Sequence, residues 1–139
     1  MADIAYGAKG SDMKFKYVDP LKNNDIADLK LPQKLVKFLA QTNAGSPESR
    51  TLIINNKDYI FNNVLNFNSD AKLEGVREYV ENLGDKLECE IPFGRDGFGN
   101  VYLVDLDSLM IRFYDYENEI KSDLCPFDEF VNMLGLMHV

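Results

Sequence analysis

The residues best suited to chemistry in this sequence are carboxylates that recur close together in its second half. Asp105 is followed by Asp107, and Asp115 by Glu117 and Glu119. A pair of carboxylates that converge in a pocket could hydrolyse a glycoside or hold a divalent cation. Acids on hairpin turns and polar loops, however, are usually there because water solvates them. We therefore favour solvated carboxylates, and a hydrolase with a deep acidic pocket is the enzymatic alternative.

Other catalytic candidates are few. The only histidine, His138, sits beside the C-terminus, where an imidazole base has no fixed geometry. Ser46 follows Gly45 without the G-x-S-x-G pattern of a serine hydrolase. Cys89 and Cys125 lack a CxxC spacing and a basic neighbour, which predicts reduced thiols that fill the core rather than a disulfide, a zinc site or a nucleophile. The sequence thus predicts no catalytic, cofactor-binding or metal-binding residue.

The stretch IPFGRDGFGNVYLVDL, residues 91–106, contains three glycines between two apolar runs. A dinucleotide-binding fingerprint needs G-x-G-x-x-G at the start of a helix, and a phosphate-binding P-loop needs Lys-Ser/Thr after its last glycine. Here the order is G-x-x-G-x-G and a strand pattern follows. A calcium loop needs regularly spaced oxygen ligands, which Phe98 and Val101 interrupt. The stretch is best explained as a β-hairpin whose glycines allow a tight reversal.

Hydrophobic spacing predicts three amphipathic helices. The first lies in LPQKLVKFLAQTNAG, residues 31–45, with Pro32 in its first turn and a stop at Asn43-Ala44-Gly45. The second covers residues 73–83 and has a solvated acidic face. The third begins near Pro126. Their apolar positions are Leu35, Phe38 and Leu39, then Leu73, Val76, Tyr79, Val80 and Leu83, and finally Phe127, Phe130, Val131 and Leu134.

Between the helices, alternating and apolar runs predict short strands. We expect strands near residues 15–18, 52–54, 59–61, 64–67 and 110–114, in addition to the hairpin. DYENEIKSD, residues 115–123, is predicted to be a polar loop, and Asn24-Asp25 is predicted to cap a short helix. The pattern indicates an α+β fold with a mainly antiparallel sheet covered by helices. It predicts a single domain over residues 15–139, after a flexible segment of residues 1–14.

The charge is unevenly distributed. The formal net charge is −8. Residues 1–69 carry 7 acidic and 9 basic side chains, a sum of +2, and residues 70–139 carry 16 and 6, a sum of −10. An acidic field repels nucleic acid and attracts basic partners, although acidity also serves solubility. The sequence has no run of apolar residues long enough to cross a membrane and no signal-peptide pattern, which predicts a cytoplasmic protein.

Four segments together resemble the SUKH superfamily, also called the Smi/Knr cell-wall-assembly regulator family. LPQKLVKFLAQTNAGSPES resembles its "LP … Asn-Gly-Gly … Pro" signature, with Ala44 in place of the commoner first glycine. IPFGRDGFGNVYLVDL, IRFYDYE and PFDEFVNML are similar to its later strands and closing helix. The resemblance implies a curved, largely antiparallel sheet with packed helices. It also implies a non-catalytic, protein-binding role, as a toxin-neutralising immunity protein in bacteria or a cell-wall regulator in fungi.

We therefore look for function on a surface. The acidic residues of consecutive turns could share one rim of the sheet, with two tyrosines as aromatic anchors. The predicted partner-binding residues are Asp96, Asp105, Asp107, Tyr114, Asp115, Tyr116, Glu117, Glu119 and Asp123. The predicted partner is a basic toxin domain, such as a nuclease, attracted by electrostatic steering. The alternative is an intracellular regulatory or scaffold module, and the oligomeric state is left open.

Overall fold

A computed structural model describes residues 15–135. The predicted flexible segment, residues 1–14, and His138 lie outside the described residues. Within them the chain forms three α-helices, two short 3-10 helices and nine strands. The helices are α1 (Gln33–Thr42), α2 (Val76–Leu83) and α3 (Phe127–Met133), and the 3-10 helices are Asn23–Leu29 and Gly84–Lys86. The strands are β1 (Phe15–Lys16), β2 (Ser46–Pro47), β3 (Thr51–Ile54), β4 (Lys57–Ile60), β5 (Asn63–Val64), β6 (Glu90–Arg95), β7 (Val101–Asp105), β8 (Met110–Asp115) and β9 (Ile120–Pro126).

The main sheet has five strands in the order β5-β6-β7-β8-β9, and all of its neighbours are antiparallel. Two register shifts, between Pro92 and Gly94 and between Ile111 and Arg112, interrupt the ladders. Such bulges bend a strand and increase its twist. β1 with β2 and β3 with β4 form two further antiparallel pairs. The predicted α+β class is confirmed.

One face of this sheet packs against α1 and α3. Phe93 of β6 and Tyr102 of β7 are fully buried there, as is Phe130 of α3. The ring centroids of Phe93 and Phe130 lie 5.7 Å apart in an edge-to-face arrangement. The centroid of Phe38 of α1 lies 6.2 Å from that of Phe93, also edge to face. Edge-to-face contacts of this kind add to the gain from burying the apolar surface. The predicted inward faces of the first and third helices are therefore confirmed.

The opposite face carries a second, smaller cluster under α2. Val101 and Leu103 of β7 and Tyr114 of β8 pack there against Leu83 of α2. β6 and β7 are consequently buried along nearly their whole length on both faces. A sheet with helices on both faces loses the apolar/polar alternation of a strand with one solvated side.

The second helix begins three residues later than predicted. Leu73 is 79% exposed and precedes the helix, because Glu74 adopts a positive φ of 56° and Gly75 is extended. The left-handed backbone at Glu74 interrupts a helical ladder. It places the Glu74 side chain between Asn63 and Arg95, where its carboxylate accepts hydrogen bonds of 2.8 and 3.0 Å.

The polar loop predicted for residues 115–123 is wrong. Residues 116–119 form a turn, and Ile120–Pro126 is the edge strand β9, paired with β8 from Asp115↔Ile120 to Met110↔Pro126. The sequence of β9 is polar because much of an edge strand faces water. The predicted cap of the 3-10 helix is also wrong, because the Asp25 carboxylate accepts instead from the backbone N–H of Ser69 at 2.9 Å.

Candidate functional site: the groove at the hairpin tips

The turns of the main sheet alternate between its two ends. Arg95 pairs with Val101, and Val101 pairs with Tyr114, so the β6–β7 loop and the β8–β9 turn lie at the same end. The β7–β8 turn, with Asp105 and Asp107, lies at the opposite end. Successive hairpins of a meander must alternate in this way, so the nine predicted residues do not form one continuous rim.

Three of the predicted acids close the turns on which they lie. The Asp96 carboxylate accepts from the backbone N–H groups of Phe98 (2.7 Å) and Asn100 (3.0 Å). Asp105 accepts from the N–H groups of Asp107 (2.8 Å) and Ser108 (2.9 Å), and Asp115 from that of Asn118 (3.2 Å). Side chains of Asp commonly stabilise turns by binding the backbone a few residues ahead. These acids therefore build the hairpins.

Four other predicted residues are occupied by intramolecular contacts. Tyr114 is only 3% exposed and belongs to the small core, so it is not a surface anchor. Asp123 is bound to the Arg112 guanidinium at 2.7 Å, and Glu119 to the Lys86 ammonium at 2.6 Å. Asp107 accepts from the Cys89 thiol at 3.0 Å. The remaining two, Tyr116 and Glu117, are both exposed on the β8–β9 turn.

Phe98 lies at the tip of the β6–β7 loop and was missed as a candidate in the sequence. Phe98 is 77% exposed, although the loop around it is held by hydrogen bonds to the Asp96 carboxylate. Gly97 and Gly99 have φ angles of 88° and 101°, which allow the tight reversal on both sides of it. The signal in the sequence was a single aromatic residue between two turn glycines, where a polar residue is usual.

A groove of about 560 Å³ runs between α2 and the two hairpin tips. We call it the hairpin-tip groove. It is an open surface depression rather than an enclosed cavity. Its lining residues are Glu74, Glu78, Tyr79, Asn82, Gly99 and Tyr116.

Tyr116 forms the wall of the groove on the sheet side. Its ring packs edge to face against Tyr114 at 5.1 Å, and its backbone N–H donates to Asn100 Oδ1 at 3.1 Å. Partial burial, followed by the proximity of Tyr114 and Tyr79, raises the pKa of its hydroxyl above the ordinary value. The Tyr116 hydroxyl therefore stays protonated and neutral at physiological pH. The residue is 37% exposed.

The charge of the groove is negative. Glu74 is compensated by Arg95, whose guanidinium lies 3.0 Å from its carboxylate. Glu78 and Glu117 are exposed and take no part in the ion pairs between residues 15–135. The groove thus combines two aromatic rings, an amide and the exposed carboxylate of Glu78, with Glu117 next to the lining residue Tyr116 in the sequence, a set suited to binding a cation or a basic side chain.

A buried charge network, separate from the small core, connects strands β6, β8 and β9. Glu90, whose side chain is 0% exposed, lies 2.7 Å from Arg112 and 2.8 Å from Lys121. Burial raises the pKa of Glu90, but the hydrogen bonds from Lys121, the Glu88 N–H and Arg112 outweigh it, and the pKa is lowered. Glu90 is therefore ionised and paired, and it is unsuited to act as a general acid.

The side chains of Cys89, Asp105 and Asp107 approach within 4.8 Å of one another at the far end of the sheet. The hydrogen bond to Asp107 raises the pKa of the Cys89 thiol, which keeps its proton. Asp105 already binds two backbone N–H groups and Arg112. A metal ion would have to displace these partners.

Cys89 is exposed, so the prediction that it fills the core is wrong, whereas Cys125 is buried as predicted.

Asn43 begins the Asn-Ala-Gly stretch that corresponds to the Asn-Gly-Gly signature, and it has a structural role. Its side chain is buried, donates to Asp19 O and Asn66 Oδ1 at 3.0 Å each, and accepts from the N–H of Phe67 at 2.7 Å. It thereby joins the end of α1 to two distant segments. Buried amides with complete hydrogen bonding fix chain geometry, so this signature positions the fold and is not part of the groove.

The fold and the site define an α+β domain with an open, acidic surface groove. A family model described as SUKH_6, SMI1-KNR4 cell-wall, matches residues 25–131, and the chain belongs to this family. The predicted membership of the SUKH superfamily is confirmed. No curated protein and no solved structure was found to match the chain. Among the described residues, no helix has the length and apolar character needed to cross a membrane.

Proposed function

We propose that this chain is a non-catalytic protein-binding domain that acts in the cytoplasm as an immunity protein. It binds and neutralises a basic toxin domain, for which a nuclease is the best candidate. A nuclease must bind polyphosphate and therefore carries basic surfaces. Family membership and the net charge of −8 both support this proposal.

The observation that carries the proposal is that two exposed aromatic residues lie on hairpin tips at the same end of the sheet, Phe98 on the β6–β7 loop and Tyr116 at the hairpin-tip groove. Phe98 is 77% exposed on a loop that Asp96 holds in place, and Tyr116 borders the groove. Rigid, exposed aromatic side chains are typical of the anchors that supply most binding energy in an interface. The adjacent Glu78 and Glu117 supply charge complementary to a basic partner.

Where the neighbouring reading frame encodes a toxic domain, co-expression with that domain tests the proposal. We expect the wild-type chain to preserve growth and to co-purify with that domain. Phe98→Ser should weaken the complex about tenfold or more, because loss of an anchor costs at least about 1–2 kcal/mol. Growth arrest in the presence of the wild-type chain would refute the proposed function, and unaltered binding by Phe98→Ser would refute the role of Phe98 as its anchor.

Charge reversals locate the surface. Glu117→Lys and Glu78→Lys should each weaken the complex. Glu129→Lys makes the same change of net charge on α3, which begins at the other end of the sheet, where Pro126 pairs with Met110. Equal losses in all three variants would assign the effect to net charge and remove the groove from consideration. Asp115 and Glu119 are unsuitable for this purpose because the first closes a turn and the second binds Lys86.

A second function is a regulatory or scaffold module that binds a host enzyme or signalling protein. The family description, SMI1-KNR4 cell-wall, favours it. The neighbouring reading frame discriminates between the two functions. A long secreted protein with a variable toxic C-terminus supports immunity, whereas unrelated housekeeping genes support the regulatory role.

A further inference from the structure

We infer that the hairpin-tip groove receives an arginine side chain from the partner. This inference rests on the proposed protein-binding function and specifies the chemistry of its contact. It starts from the lining of the groove, in which Tyr79 and Tyr116 supply rings, Glu78 a carboxylate and Asn82 an amide.

The rings favour arginine over lysine. A guanidinium is planar and weakly hydrated, so it stacks on an aromatic ring while its edge donates hydrogen bonds to a carboxylate or an amide oxygen. An ammonium is compact and strongly hydrated, and it gains less from a half-exposed ring. Tyr116 is held by its contact with Tyr114 and by the hydrogen bond from its N–H to Asn100, so its ring is already in position.

Of the two carboxylates that line the groove, one is available for this contact. Glu74, at one side of the groove, is already bound to Arg95 and Asn63. Glu78, four residues further along the chain and exposed in the first turn of α2, takes no part in the ion pairs between described residues. The pairing of Glu74 with Arg95 also shows, within this molecule, the geometry that a carboxylate and a guanidinium adopt beside the groove.

The shape of the groove admits a long side chain. Gly99 forms part of the lining, and a Cβ atom built at Gly99 would meet no atom within 4 Å. The space in front of this backbone is therefore open. Phe98, next to it, would contact the main chain of the segment that carries the arginine.

A titration of the whole chain with two short peptides tests the inference. The probes are acetyl-Gly-Arg-Gly-amide and acetyl-Gly-Lys-Gly-amide, and binding is followed by ¹H–¹⁵N correlation spectra. We expect the arginine peptide to shift the amide signals of Asn82, Gly99 and Tyr116, and to bind about threefold or more tightly than the lysine peptide. Equal affinity for both peptides, or shifts spread evenly over the acidic surface, would overturn the inference.

Three variants complete the test. Glu78→Gln and Tyr116→Leu should each weaken binding of the arginine peptide about threefold, and Glu129→Gln should leave its affinity unchanged. Dispersed spectra show that each variant is folded. If all variants bind the peptide as the wild type does, the inference fails. If the wild-type chain protects against the toxin but ignores the arginine peptide, the inference fails and the proposed function stands.

Discussion

The carboxylate of Asp96 accepts a 2.7 Å hydrogen bond from the backbone N–H of Phe98. A buried acid therefore positions an aromatic side chain that is 77% exposed. The same carboxylate also binds the N–H and the side-chain amide of Asn100, at 3.0 and 2.8 Å. Asp96, which the sequence predicts to contact the partner, thus acts indirectly, because it holds Phe98 in place for that contact.

The first prediction separates these two roles. Asp96→Ala removes three hydrogen bonds to a buried carboxylate and should lower the free energy of unfolding by about 2 kcal/mol, measured by urea denaturation. Phe98→Ser should change it by less than about 0.5 kcal/mol, because the side chain is exposed. Both variants should bind the partner weakly. Strong destabilisation by Phe98→Ser would show that this ring packs against the fold.

The second prediction concerns the close approach of β6 to Phe61. A Cβ atom added at Gly94 would overlap the fully buried Phe61 ring. Gly94→Ala should therefore lower the free energy of unfolding by about 1–3 kcal/mol in urea denaturation.

Two further variants control this result. In the Gly94→Ala, Phe61→Leu double variant, the combined loss should be smaller than the sum of the single losses, because the smaller side chain vacates the space. Gly75→Ala should be tolerated, since its Cβ atom would lie 3.4 Å from the nearest atom, an ordinary contact. Strict additivity in the double variant would contradict steric overlap as the cause.

Much of the fold follows from local sequence. The helix over Gln33–Thr42 and the hairpin around residues 94–100 are predictable because apolar spacing and turn glycines are local signals. Two elements escape. β9 is polar because it lies at an edge, and α2 begins late because Glu74 adopts a left-handed backbone, in which its carboxylate binds the distant Arg95.

The site was less predictable than the fold. The sequence showed which residues are acidic, but not which carboxylates the fold itself uses. Asp96, Asp105 and Asp115 bind backbone N–H groups of their own turns, and the burial of Tyr114 depends on α2 packing over it. The burial of Tyr114 is set by tertiary structure, whereas the contacts of the three Asp residues are local and depend on the turn conformation that each hairpin adopts. Only Tyr116 and Glu117 combine the predicted chemistry with an exposed position beside the groove.

The third prediction concerns the residue at which this chain differs from the Asn-Gly-Gly signature. Ala44 adopts a φ of 67°, a left-handed conformation that costs a residue with a Cβ atom about 1–2 kcal/mol. Glycine avoids this cost but loses more backbone entropy on folding. Ala44→Gly should therefore raise the free energy of unfolding by about 0.5–1 kcal/mol.

The neighbouring glycine provides the opposite control. A Cβ atom at Gly45 would lie 2.8 Å from Val18 Cγ2 and 3.1 Å from the carbonyl oxygen of Thr42. Gly45→Ala should lower the free energy of unfolding by about 1–3 kcal/mol. Thermal or urea denaturation of the two single variants should thus give changes of opposite sign. Destabilisation by both would mean that the Ala44 methyl group contributes packing that outweighs its backbone strain.

The last prediction is the pH dependence of the turn at Asp105. The hydrogen bond from the Ser108 N–H, and then those from Arg112 and the Asp107 N–H, lower the pKa of Asp105 from 3.8 to about 2. The ionised carboxylate therefore stabilises the folded state fully above about pH 5, and this contribution is lost as the pH falls through 3.8 towards about 2.

Asp105→Asn keeps an acceptor oxygen but loses the charge. The difference in free energy of unfolding between wild type and variant should be constant above about pH 5 and decrease below it, in urea denaturation at successive pH values. Asp58→Asn, at an exposed position of β4, controls for the loss of a surface charge. A wild-type advantage that persists unchanged down to pH 2 would show that the amide, rather than the lost charge, weakens the turn.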